Sequence, residues 1–379
     1  MDSRINPFRV MDIVKAAGQY DDTIHFEVGQ PDLPPPPGVK RALKKAIDRD
    51  MFSSYTESKG IYSLREAISR HYAREYDVDV DPDRILITPG TSVAFMVAYQ
   101  LLLDVGKRVA IADPSYPCYR NFAYMVGAEP VLVEVGAKER YLMTPALLES
   151  MELRFDALHI SSPSNPTGTL YRDHELKRLS EYCSQNGIGL ICDELYHGLV
   201  YNDRAPSALE YSDEHIVING FSKYFCMPGM RIGWMVLPEY LVRRAEIVAQ
   251  NLYISASTLS QYAALEAFDY DYLEHVRETY RYRRDMVYER LNELFGVETP
   301  PEGAFYIWCD VSKYTSDSFD FSEKLLTEIH VAVTPGIDFG TDERMKRYLR
   351  FSYTRDEEHL REGLDRLGAY LGSIARNGG

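Results

Sequence analysis

Short apolar runs recur along the first two thirds of the chain at spacings of about 15 to 30 residues. Ile85–Thr88, Val109–Ile111, Val131–Val133, Leu158–Ile160, Ile188–Cys192, Ile216–Asn219 and Ile232–Val236 are runs of this kind. Each is short, unbroken and rich in β-branched residues, which predicts strands buried on both faces. Between them lie stretches with helical spacing of apolar positions: 91–104, 116–127, 144–151 and 173–186, preceded by 39–48 and 63–75. Strands alternating with helices of ten to fifteen residues predict an α/β fold, a mainly parallel sheet flanked by helices.

The pattern changes after Asp271. A long, charged, tyrosine-rich helix is predicted over 274–294, then short strands at 304–309, 331–334 and 348–353 and helices at 321–329 and 357–374. This part reads as a smaller α+β domain. At the other end, Ile13, Val14, Ala16 and Ala17 supply the apolar face of a short helix. Gly29-Gln30-Pro31-Asp32 and Pro34 to Pro37 exclude helix and inner strand and read as an extended crossing segment.

Composition narrows the function. The chain has 379 residues, 45% of them apolar, enough for a large core and more than one domain. It carries 42 basic and 57 acidic side chains, a formal net charge of −15. That argues against nucleic acid or an anionic membrane as partner, yet allows a local cationic pocket. Cys118, Cys183, Cys192, Cys226 and Cys309 are odd in number and form no C-x-x-C pair. Reduced thiols in a cytoplasmic protein are expected, and no metal site. Met1 to Gly18 shows no apolar signal region, and no apolar run has membrane-spanning length.

In a parallel sheet, ligands bind beyond the carboxyl ends of the strands. Four segments at such ends carry reactive groups. Pro89-Gly90-Thr91-Ser92 offers a helix start and two hydroxyls, suited to a phosphate or to a plain N-cap. Ser162-Pro163-Ser164-Asn165-Pro166-Thr167-Gly168 is either a structural turn or a rigid mount for the Asn165 amide. Asp193 directly follows a buried strand and must pair with a cation, bind a metal or cap something. Its neighbour Glu194 points the opposite way in extended chain, so a single carboxylate facing a ring N–H is as plausible as a metal. The fourth is Asn219-Gly220-Phe221-Ser222-Lys223, with Arg231 eight residues on. A lysine in such a turn can lose its charge by forming a Schiff base with a carbonyl. Nucleotide-loop, zinc-protease and esterase motifs are absent.

The order Ser164-Asn165-Pro166-Thr167-Gly168, Asp193-Glu194-Leu195-Tyr196, then Ser222-Lys223 with Arg231-Ile232-Gly233-Trp234 resembles the class I/II aminotransferases. These are pyridoxal-phosphate enzymes of fold type I. Val28 to Asp32, Tyr55 to Gly60, Pro301 to Tyr306, Thr334 to Gly336 and Leu349 to Ser352 extend the likeness over nearly the whole chain. The resemblance implies pyridoxal 5'-phosphate bound covalently to Lys223, which also moves the substrate's Cα proton. It implies that Asp193 pairs with the pyridinium nitrogen and that Tyr196 and Asn165 bond the phenolic oxygen. Tyr116 would stack on the ring. Thr91, Ser92, Ser222 and Arg231 would hold the phosphate, with Tyr55 reaching it from a second subunit. Arg350 would clamp the substrate carboxylate, with Gly29 beside it. It implies cis bonds before Pro114 and Pro166.

The implied architecture is a large domain over 29–270 and a small one combining 1–28 with 271–379, in a homodimer. The implied reaction moves an amino group from an L-amino acid to a 2-oxo acid through the pyridoxamine form. A lyase of the carbon–sulfur or aminocyclopropane-carboxylate-synthase kind is the alternative on the same fold. Ser92 stands where some bacterial aspartate aminotransferases of this class have lysine, and 252–260 offers no cation. Arg4, Arg9 and Arg120 remain as suppliers of one. Phe8, Tyr116, Leu252, Tyr253 and Phe305 are expected near the site, favouring a neutral or aromatic donor.

Overall fold

The computed structural model describes residues 4–5, 10–151, 154–202 and 204–377. The elements, in chain order, are α1 (Val10–Ala17), β1 (Ile24–His25), α2 (Pro37–Asp48), α3 (Tyr62–Tyr76), β2 (Ile85–Thr88) and α4 (Thr91–Leu102). Then follow β3 (Arg108–Asp113), α5 (Cys118–Met125), β4 (Glu129–Glu134), α6 (Pro145–Ser150), β5 (Ala157–Ser161), α7 (Asp173–Asn186) and β6 (Gly189–Asp193). The chain continues through β7 (Ile216–Gly220), β8 (Gly233–Val236), α8 (Glu239–Leu252), α9 (Thr258–Ala264) and α10 (Tyr270–Phe295). It closes with β9 (Tyr306–Asp310), α11 (Ser318–Ile329), β10 (Val331–Ala332), β11 (Thr334–Pro335), β12 (Tyr348–Ser352) and α12 (Glu357–Asn377).

Seven strands form one sheet in the order β2-β8-β7-β6-β5-β3-β4. Only β8 runs antiparallel to its neighbours, β2 and β7. Alternate residues feed two separate cores. Ala110, Leu158, Leu190, Cys192, Val217 and Trp234 face one; Val109, Ile111, Ala157, Ile191, Ile216, Ile218 and Met235 face the other. With both faces covered, the strands read as unbroken apolar runs, which is why they stand out in the sequence.

The strand directions place the reactive loops. The carboxyl ends of β2, β3, β5, β6 and β7 all lie along one edge of the sheet. Reversed β8 starts at that same edge, so Arg231, two residues before it, arrives there too. A second, antiparallel sheet, β11-β12-β9, carries Arg350 on its central strand. The expected strand 331–334 is instead two pieces in different sheets. Val331–Ala332 pairs with Ile24–His25, and Thr334–Pro335 pairs with β12. The bonds before Pro114 and Pro166 are cis, as the resemblance implies, and so is that before Pro163.

Candidate active site

A cavity of about 280 Å³ opens where the sheet edge meets β12. Gly29, Thr91, Ser92, Tyr116, Asn165, Asp193, Tyr196, Ser222, Lys223, Arg231 and Arg350 all line it. Tyr55 does not; it is 78% exposed outside the cavity.

Lys223 projects from the turn after β7, and its Nζ donates to the Gly29 carbonyl at 2.6 Å. Burial first, then the charges of Arg350 and Arg231, lower its ammonium to about 8, with Asp193 opposing. Asp193 ends β6 and is buried. Its Oδ1 accepts from Leu195 N at 3.0 Å, and its Oδ2 accepts from the Tyr119 hydroxyl. Burial raises it to about 6, against the pull of those two donors and Lys223. Glu194 turns the other way, as extended backbone requires, and binds Ser207 Oγ and Ala208 N.

A cradle lies at the start of α4. Gly90 has φ +77, and a Cβ there would meet Arg231 Nη2 at 2.7 Å. Only glycine lets the guanidinium lie this close to the helix N-terminus. The helix N-terminus, the Thr91, Ser92 and Ser222 hydroxyls and the Arg231 cation have the chemistry to suit a dianionic phosphate. A phosphate-bearing aldehyde whose ring nitrogen faces Asp193 fits these donors.

Arg350 is 3% exposed. Its Nη1 donates to Asn165 Oδ1 at 2.9 Å, and its Nη2 to the Glu27 carbonyl at 2.5 Å and Thr334 Oγ1 at 3.3 Å. Among the described residues no carboxylate pairs with it, and its Nε has no partner. A buried guanidinium in that state has the charge and the free donor to suit an incoming carboxylate.

Several expectations are corrected. Leu252 and Tyr253 do not line the cavity: Leu252 is 55% exposed, and Tyr253 hydroxyl bonds the Ile87 carbonyl. They belong to the end of α8 and its cap, and α8 packs beside α4 and β2 in the second core. Arg4 pairs with Glu129, and Arg120 bonds the Asp338 carbonyl. Neither reaches the cavity. Phe8 and Arg9 lie outside the described residues. Phe305 stands 5.6 Å behind Lys223 Nζ, measured to its ring centre.

Tyr119, Tyr306 and the α1 side chains Val10, Met11 and Val14 are participants that the sequence left unassigned. Tyr306 sits inside the Pro301–Tyr306 motif. Tyr119 follows Tyr116 by three residues, a spacing that keeps both at one end of α5.

The sequence model of the family "Aminotransferase class I and II" matches residues 21–367. The chain belongs to this family. It is 36% identical to the valine–pyruvate aminotransferase of Mycobacterium tuberculosis over 380 residues, 97% of each chain. A solved structure of a putative aminotransferase from Silicibacter pomeroyi superposes with a TM-score of 0.90 at 42% identity, covering 98% of both. A Methanococcus jannaschii structure, described as similar in its active site to kynurenine aminotransferases, gives 0.88 at 35%, covering 97% and 98%. The fold is that of the fold type I aminotransferases, a pyridoxal-phosphate-dependent class, and the aminotransferase is a transaminase. The lyase alternative gains no support from these relatives. Among the described residues no helix is long and apolar enough to cross a membrane.

Proposed function

We propose that this aminotransferase binds pyridoxal 5'-phosphate on Lys223 and moves the amino group of a neutral or aromatic L-amino acid to a 2-oxo acid. The observation that carries the reading is Arg350. It is buried, lacks a carboxylate partner, and opens onto the same cavity as Lys223.

The bound cofactor supplies an electron sink for the Cα carbanion. The protein does the rest. Thr91, Ser92, Ser222 and Arg231 hold the phosphate, with a partner's Tyr55 completing the cradle in a homodimer. Tyr116 covers the ring. Asp193 keeps the ring nitrogen protonated, and its burial makes the ion pair strong. Asn165 and Tyr196 orient the phenolic oxygen. Arg350 orients the substrate by its carboxylate beside Gly29. Lys223, with its pKa lowered toward neutrality, takes the proton from Cα and returns it. The chain divides into a large part, 29–270, and a small part, 1–28 with 271–379, with the site between them. The acidic chain, without a spanning helix among the described residues, suits a cytoplasmic enzyme without nucleic-acid or membrane partners.

The donor preference follows from charge. The cations among the described lining residues are Lys223, Arg231 and Arg350, each already assigned. Val14, Phe95 and Leu195 add apolar wall. The test is spectroscopic. An L-amino acid alone should convert the yellow form to the pyridoxamine form, and a 2-oxo acid should return it. Release of ammonia with the yellow form kept or restored in the absence of any 2-oxo acid would establish a lyase instead.

A further inference from the structure

Tyr306 opens β9 and is 1% exposed. In the β9–β12 register Tyr306 faces Ser352, so Arg350, two residues earlier, is its diagonal neighbour on the same sheet face. The Arg350 guanidinium accordingly lies over the Tyr306 ring, 4.3 Å from its centre. The Tyr306 hydroxyl reaches the Tyr196 hydroxyl at 2.8 Å. That same hydroxyl occupies the place where a Gly29 side chain would stand: a Cβ there would lie 1.9 Å from it and 2.6 Å from the ring. Gly29 in turn offers its carbonyl to Lys223. Tyr306 is packed by Phe305 and Tyr196 edge-on, at 5.0 and 5.7 Å between ring centres.

We propose that Tyr306 is a positioning residue that ties the carboxylate clamp, Arg350, to the cofactor-side hydroxyl of Tyr196, and that position 29 is glycine because Tyr306 fills its side-chain space. This rests on the roles given to Arg350 and Tyr196 above. The two halves of Tyr306 act separately. The ring stabilises the bare guanidinium through its π face while no carboxylate is present, and keeps it aimed when one arrives. The hydroxyl fixes the Tyr196 rotor and so the direction of its hydrogen bond to the cofactor.

The test compares Tyr306→Phe with Tyr306→Leu in the loaded enzyme, using 3-phenylpropionate as an inert carboxylate. Tyr306→Phe keeps the ring: inhibitor affinity should stay within about twofold, while the pH titration of the yellow band moves by about half a unit, the scale of one hydrogen bond. Tyr306→Leu loses both, and affinity should fall about tenfold as well. In the cofactor-free protein, Gly29→Ala should lower Tm, and adding Tyr306→Leu should recover part of that loss, since the two crowd the same space. Unchanged inhibitor affinity in Tyr306→Leu, an unmoved titration in Tyr306→Phe, or strictly additive Tm losses would each overturn the proposal. A wild-type enzyme with no yellow band and no affinity for the carboxylate would sink the role assignments themselves.

Discussion

Lys223 and Gly29 are 194 residues apart in the chain, yet the Lys223 Nζ donates to the Gly29 carbonyl at 2.6 Å. The contact joins the turn after β7 to the crossing segment before α2. It holds the amine at the floor of the cavity, between Asp193 and Arg350, where its charge is costly. Lys223→Ala should abolish turnover. Borohydride treatment of the wild type should fix the cofactor on the peptide containing Lys223. Mass mapping of the adduct to any other lysine ends this assignment.

The cofactor-free protein offers a test by pH. An unfolded lysine titrates near 10.4, and Lys223 in the fold near 8. Between those values the unfolded chain holds more protons than the native one, so this group adds stability as pH rises. Below about 8 the buried charge is fully present and destabilises. Lys223→Met should therefore be more stable relative to wild type at pH 7 than at pH 10. A Tm difference that is flat across this range would show that the amine is not desolvated.

Asp193→Asn should fold and retain cofactor, because Leu195 N can still donate to the amide Oδ1 while the Tyr119 hydroxyl turns to accept from the amide Nδ2. It should slow Cα deprotonation by about 10²–10⁴, the range of a lost acid–base contribution. Single-turnover absorbance with an L-amino acid measures this. A rate near wild type removes Asp193 from the electron-sink role.

The sheet was legible because its strands are buried on both faces, and a short unbroken apolar run bounded by turn residues suits little besides such a strand. Residues 239–264 were not. The buried face of α8 is built on Leu241, Ala245 and Ala249, and alanine marks a core weakly. In α9 the buried residues include Ser260 and Gln261, which look like surface. β1 has two residues, too few for any pattern. The cavity itself was legible from the order of the motifs. The tyrosines that finish it were not, because the chain has 29 and only tertiary packing tells Tyr119 and Tyr306 from the rest.

Tyr55 tests the dimer. It stands 78% exposed and lines a surface groove together with Phe52 to Ser54 and Ser255 to Leu259. If it serves a partner's phosphate, Tyr55→Arg and Lys223→Ala should each be inactive alone. In a hybrid dimer, one of the two sites regains both native residues. Random exchange should then restore about a quarter of wild-type activity, from half the dimers with one good site each. Proven hybrids with no activity would place the site within one chain.

The donor side chain is decided by what can meet a second negative charge. L-aspartate would bring two carboxylates into the cavity, and in the proposed role Arg350 receives one. Arg231 lies against Gly90 at the proposed phosphate cradle, and Lys223 donates to the Gly29 carbonyl and is the proposed attachment point of the cofactor. Arg4 is paired with Glu129, and Arg120 is engaged at Asp338. The wall near α1 offers Val10, Met11 and Val14, and Ser92 supplies a hydroxyl where a lysine would supply charge. A distal carboxylate therefore loses water without gaining a cation, whereas an apolar or aromatic side chain gains by leaving water. We expect kcat/KM for the best neutral or aromatic L-amino acid to exceed that for L-aspartate by at least about tenfold, the scale of one unmatched polar group. Placing a cation on the wall should narrow the gap: Val14→Arg should raise the value for L-aspartate and lower it for the apolar donor. A panel in which L-aspartate is the best donor of the wild type would overturn this reading of the cavity and mean that a cation beyond its described lining residues, such as Arg9 or one from a partner subunit, reaches it.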